Sequence, residues 1–230
     1  RFAFASFDRN LGLRDDNDFS LNLGPTSSSC ADVLVRGAGP GTALVSVSSN
    51  GEQGNNQSLS PMLSDDGDTV AFVSAANNLV PGDTNGAFDV FVHDLRTSVT
   101  SRISVASDGT QADGSSFDRI LGVSADGRYV AFSSAAGNLV AGDDNRFCDN
   151  DFDGRALENC SDLFLHDRVT GFTRRLSVAA GGGEADGASR HATLSGDGLR
   201  LAFESLASNL VPGDRRALCD NDLDGQPGES

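Results

Sequence analysis

An all-β chain of repeated four-stranded units is the fold class the sequence predicts, and three observations predict it. The 230 residues repeat internally. Short apolar runs, rich in β-branched and aromatic residues, recur inside each repeat, too short for helices and bounded by Gly, Asp, Asn and Ser. Asp-Gly pairs punctuate these runs. Aligning RFAFASFDRNLGLRDDN (1–17), TVAFVSAANNLVPGDTN (69–85), YVAFSSAAGNLVAGDDN (129–145) and RLAFESLASNLVPGDRR (200–216) gives four copies in strict register. Phe4, Phe72, Phe132 and Phe203 are equivalent. An Asn-Leu pair follows at Asn10, Asn78, Asn138 and Asn209, and an aspartate at Asp15, Asp83, Asp143 and Asp214.

The elements of one unit follow in order. A weak first run reads SLSPMLS (58–64), DRILGVS (118–124) and RHATLS (190–195). It ends at Asp66-Gly67, Asp126-Gly127 and Asp197-Gly198, where glycine accepts the positive φ of a tight hairpin turn. The Phe-containing run is the second strand. Length variation between repeats falls almost wholly after its trailing aspartate, so that stretch is a loop tolerating insertions. The third strand is ADVLVRG (31–37), DVFVHDL (89–95) or DLFLHDR (162–168), and the fourth is ALVSVSS (43–49), SRISVAS (101–107) or RRLSVAA (174–180).

A four-stranded antiparallel unit of about 60–70 residues cannot bury both of its faces alone, and stacking such units around an axis covers them, which is the β-propeller. The blades are expected at 1–57 (strands two to four), 58–117, 118–189 and 190–230 (the first two strands), giving three near-complete blades and a partial one. Known propellers close with four to eight blades. Three outcomes stay open: a longer chain, end blades that complete one ring, or blades completed between molecules. Unpaired strand edges, as templates for pairing with another chain, give the third outcome a physical motive, and a longer propeller ranks ahead of it.

The repeat "SADGRYVAFSSAAGNLVAGDDN … DLFLHDRVTGFTRRLSV" resembles the TolB-type, WD-like propeller repeats of bacterial secreted and cell-surface proteins, over nearly the whole chain. The resemblance implies fold far more than function, because such propellers serve as binding scaffolds, as companion domains of peptidases and as parts of envelope complexes.

Charge narrows the partners. The net charge is −16, and all 17 basic residues are arginine. No basic stripe is available for phosphate, which disfavours nucleic acid and anionic membrane surfaces. No segment reads as a signal peptide or membrane span, but the chain opens at Arg1 in mid-repeat, so this says little about compartment. Cys148 and Cys160 bracket an aspartate-rich loop, and a disulfide between them points to an oxidising, extracellular or cell-envelope location. Cys30 sits where Cys160 sits in its repeat and Cys219 where Cys148 sits. Each is free, bonded to the other, or bonded between molecules.

The bracketed loop reads CDNDFDG (148–154) and returns as CDNDLDG (219–225). Asp149, Asp151 and Asp153, followed by a turn glycine, offer three hard oxygen ligands as in the first half of an EF-type Ca²⁺ loop. The twelfth position is Cys160, so Glu158 or Asp162 has to supply the closing carboxylate. Asp220, Asp222 and Asp224 form the second copy. A further set recurs at the blade rim: Asp83, Asn85 and Asp89; Asp143, Asn145 and Asp162; Asp15, Asn17 and Asp32. These either hold a metal or cap turns and tie the loop to the strand.

No nucleophile elbow, zinc-protease helix or phosphate-binding glycine loop is present. His93 and His166 occupy one repeat position, which reads as architecture, while His191 lies elsewhere. The sequence therefore points to a non-enzymatic, Ca²⁺-stabilised extracellular propeller that binds protein or itself. The alternative is the propeller domain of a larger secreted hydrolase or peptidase whose catalytic domain lies outside this chain.

Overall fold

The computed structural model describes residues 1–7, 31–37, 41–116, 120–143 and 161–213. Among them are thirteen strands and no helix. Every ladder is antiparallel and joins sequence neighbours. The first sheet is β1 (Phe2–Ser6), β2 (Asp32–Arg36) and β3 (Thr42–Leu44). The second is β4 (Ser58–Leu63), β5 (Thr69–Ser74), β6 (Asp89–Asp94) and β7 (Val99–Arg102). The third is β8 (Ile120–Val123), β9 (Tyr129–Ser134), β10 (Asp162–Asp167) and β11 (Phe172–Arg175), and β12 (Ser189–Leu194) with β13 (Leu201–Ser205) forms the last.

The sheets stack face to face in chain order, as blades do. Phe72 and Phe91, ring-stacked at 5.9 Å, face Val33, Val35 and Val45 of the first sheet. Phe132 and Phe164, stacked at 5.7 Å, face Val73, Val90 and Val92 of the second. Leu163 and Leu165 meet Leu194, Leu201 and Phe203 of the last. The middle strands β5, β6, β9 and β10 are therefore buried on both faces, which is why they read as unbroken apolar runs. The first strands lie side by side, β4 against β8 and β8 against β12. An all-β, propeller-type stack of antiparallel blades results, two of them four-stranded among the described residues, and no described helix is long and apolar enough to cross a membrane.

The Asp-Gly hairpins turn with glycine at positive φ, as expected. Gly67 N donates to Ser64 O at 2.9 Å, so Asp65 and Asp66 are central and Gly67, at φ 76°, follows them. The Ser64 and Asp66 side chains stabilise that geometry, with Ser64 Oγ donating to Asp66 Oδ1 and Asp68 N donating to the same oxygen at 3.0 Å. One local expectation is corrected: the fourth strand lies earlier than expected. β7 ends at Arg102 and β11 at Arg175, and Ser-Val turns out of the ladder into an isolated bridge, Val105 to Gln111 or Val178 to Glu184. The reason is the serine, whose hydroxyl turns back onto the third strand.

Candidate cation site at the blade rim

Each of the three described third strands opens with a buried aspartate held by that serine. Ser46 Oγ donates to Asp32 Oδ1 at 2.8 Å, and Ser104 and Ser177 donate likewise to Asp89 and Asp162. The same hydroxyls accept the backbone N–H of Val33, Val90 and Leu163. A buried carboxylate is thereby tied to two strands of its own sheet.

In the second blade the predicted trio comes together. Asn85 Nδ2 donates to Asp89 Oδ2 and to Ala112 O, both at 2.9 Å, and Asn85 Oδ1 accepts from Ala87 N. Asp83 joins through Arg102, whose Nη1 lies 3.2 Å from Asp83 Oδ1 and 3.7 Å from Asp89 Oδ2. Arg102 Nη1 also donates to Gln111 Oε1 at 2.8 Å, and Gln111 Nε2 donates to Thr84 Oγ1 at 2.7 Å. In the first blade Gln53 Nε2 donates to Asp32 Oδ2 at 2.7 Å, and Leu44 stands where the other blades have arginine.

The third blade repeats this framework with one change of charge. Arg175 Nη1 lies 3.4 Å from both Asp143 Oδ1 and Asp162 Oδ2, but Glu184 replaces the glutamine. One oxygen from each of Asp143, Asp162 and Glu184 lies within 4.8 Å of the other two. The Asp143 side chain is 0% exposed. Burial, then the neighbouring Asp162 charge, raises its pKa to about 7, against the lowering effect of Arg175. Asp83, Asp89 and Asp162 are raised as well, chiefly by burial.

The remaining predicted ligands, Asp149, Asp151, Asp153, Glu158, Asn145, Asp220, Asp222 and Asp224, lie outside the described residues, as do Asp15, Asn17 and all four cysteines. Sequence reading passed over Arg102, Arg175, Gln111 and Glu184. Their signal was present: Arg-Ile-Ser-Val and Arg-Leu-Ser-Val are aligned, with Gln or Glu nine residues after the arginine.

The repeated histidines belong to a seam between blades. Thr100 Oγ1 gives its single hydrogen to Val47 O of the preceding blade at 2.5 Å, so it accepts from His93 Nδ1 at 2.8 Å. Thr173, Val105 and His166 repeat this at 2.6 and 2.9 Å. Burial lowers the pKa of both histidines, with the adjacent Asp94 or Asp167 opposing.

No family model matches the chain, and no curated protein does. Among solved structures it is similar to TolB from Acinetobacter baumannii, with 17% identity and a TM-score of 0.40 over 77% of this chain and 33% of that one. It is similar to a putative TolB from Agrobacterium tumefaciens, with 13% identity and a TM-score of 0.44 over 79% of this chain and 48% of that one. It is also similar to dipeptidyl peptidase 4 of Porphyromonas gingivalis, with 15% identity and a TM-score of 0.37 over 77% and 25%. The chain thus spans between a quarter and about half of these proteins. The stacking of the chain's own sheets carries the fold.

Proposed function

We propose that this chain is a non-enzymatic, Ca²⁺-stabilised propeller module of an extracellular or cell-envelope protein, with a structural or protein-binding role. One observation carries the reading: the repeated side chains a hydrolytic site would draw on are engaged in scaffold. The rim serines hold the third-strand aspartates, and His93 and His166 hold the threonine seams. Cys148, Cys160 and the aspartates between them support the location and the metal.

Thermal unfolding in calcium and in chelator tests it. Asp151→Ala and Asp153→Ala should each lower the melting temperature in calcium and change it little in chelator. Equal losses in both buffers would leave an ordinary hydrogen-bonded turn and remove calcium from the reading.

Self-association is a second form of the proposal. Head-to-tail pairing of a sheet edge of one copy with that of the next is the contact that would carry it. Electron microscopy separates the two forms. Filaments that disassemble in chelator or reductant mean a polymer; discrete particles mean a module that binds other partners.

A further inference from the structure

We propose that Asp143, Asp162 and Glu184 form a binding site for a hard divalent cation, Ca²⁺, at the rim of the third blade. The proposal rests on the calcium reading above but uses no residue of the 148–154 loop.

Geometry permits a shared ion. Two oxygens coordinating one Ca²⁺ at 2.3–2.6 Å lie at most about 5 Å apart. The three carboxylates meet that limit, each offering an oxygen within 4.8 Å of the others. They come from the loop after β9, the start of β10 and the bridge after β11, so a bound ion would tie three segments of one blade. Glu184 is held in place from outside, since Val178 bridges it and Asn209 Nδ2 of the next blade donates to its carbonyl at 2.9 Å.

A second observation points to a ligand. Both carboxylate oxygens of Asp143 are buried and neither accepts a hydrogen bond. Such a group is costly unless something neutralises it. Arg175 Nη1 stands 3.4 Å from Asp143 and from Asp162, so one guanidinium is shared between these two buried carboxylates.

The second blade shows what the scaffold needs when no ion is called for. There the third position is Gln111, hydrogen-bonded to Arg102 and Thr84, and the sole orphaned atom of that cluster is Arg102 Nε. Two carboxylates and one guanidinium suffice for the fold. The third blade places a carboxylate, Glu184, where the second has the Gln111 amide, which adds an oxygen ligand suited to a hard cation to the same framework.

The test is Ca²⁺ titration by calorimetry on the full chain carrying Asp151→Ala and Asp153→Ala, which silences the loop. In this background Glu184→Gln, which installs the second blade's residue, should lower the stoichiometry by one or weaken a binding event at least tenfold. Asp143→Asn should do the same, with folding checked by circular dichroism, and the exposed Glu52→Gln should change nothing. Unchanged binding in folded Glu184→Gln and Asp143→Asn overturns the site. If the unsubstituted chain binds but the loop background does not, calcium belongs to the loop and this site falls alone. If the unsubstituted chain binds no Ca²⁺, the site and the wider calcium reading fall together.

Discussion

The asparagine of the Asn-Leu pair shows how one residue joins two blades. Asn78 Nδ2 donates to Gln53 O at 2.8 Å and Asn78 Oδ1 accepts from Asn55 N at 2.9 Å. Asn138 does the same with Gln111 O and Asp113 N, and Asn209 with Glu184 O and Asp186 N. Each asparagine thus fixes, from the next blade, the loop that carries the rim glutamine or glutamate. Asn138→Ala removes two such bonds and should cost about 1–3 kcal/mol in urea unfolding. The pair was legible as a repeat, but its role was not, because the partner backbone sits about 25 residues earlier across a blade boundary. The histidines give a pH signature of known sign. Their folded pKa values are lowered from 6.5, so their contribution is complete above pH 6.5 and is lost as pH falls below it. The rim aspartates, with raised values, work in the opposite direction, so the readout is a difference. Replacing both histidines by asparagine, which retains a donor near Nδ1, should flatten the acid-side decline of melting temperature relative to the parent chain. Parallel profiles would refute the assignment.

At the scale of elements, burial decides what the sequence discloses. β5, β6, β9 and β10 are covered on both faces, so VAFVS, DVFVH and DLFLH stood out as strands. The first strands were fainter because β4, β8 and β12 each carry a register shift, with Ser60 at φ 51° and His191 at φ 50°, which breaks the alternation. The rim was half legible. Its aspartates were found by spacing, but the arginine and the Gln or Glu that decide its charge come from the next strand and the bridge after it. Turn glycines have two duties in this fold. Gly127 adopts φ 69°, and a Cβ there would lie 2.2 Å from Thr69 Oγ1 of the preceding blade. Gly109, at φ 86°, has open space around it. Gly127→Ala should therefore cost roughly 2–4 kcal/mol, backbone strain plus overpacking, and Gly109→Ala roughly 1–2, strain alone. Equal losses in denaturant unfolding would mean the hairpin does not pack on its neighbour.

Across the whole molecule the blades are joined by the same contacts repeated. The hairpin turns form a chain, Asp66 N to Ala125 O at 3.0 Å and Ala125 N to Gly196 O at 2.7 Å. At the other strand ends Thr100 N donates to Ser49 Oγ at 3.0 Å and Thr173 N to Ser107 Oγ at 2.9 Å. Apolar faces fill the space between these two polar seams. The repeat and its stacking were legible because an exposed four-stranded sheet has to be covered, whereas the seams were not, since no single repeat contains both halves of them. Native-state amide hydrogen exchange read residue by residue tests the stacked-blade arrangement most directly. The amides of Asp66, Thr100, Ala125 and Thr173, which bond only across blade boundaries, should exchange as slowly as those of the central strands β5, β6, β9 and β10. Rapid exchange at those four amides, with the strands still protected, would mean that the sheets fold as separate units and that the blade stack is not their arrangement in solution.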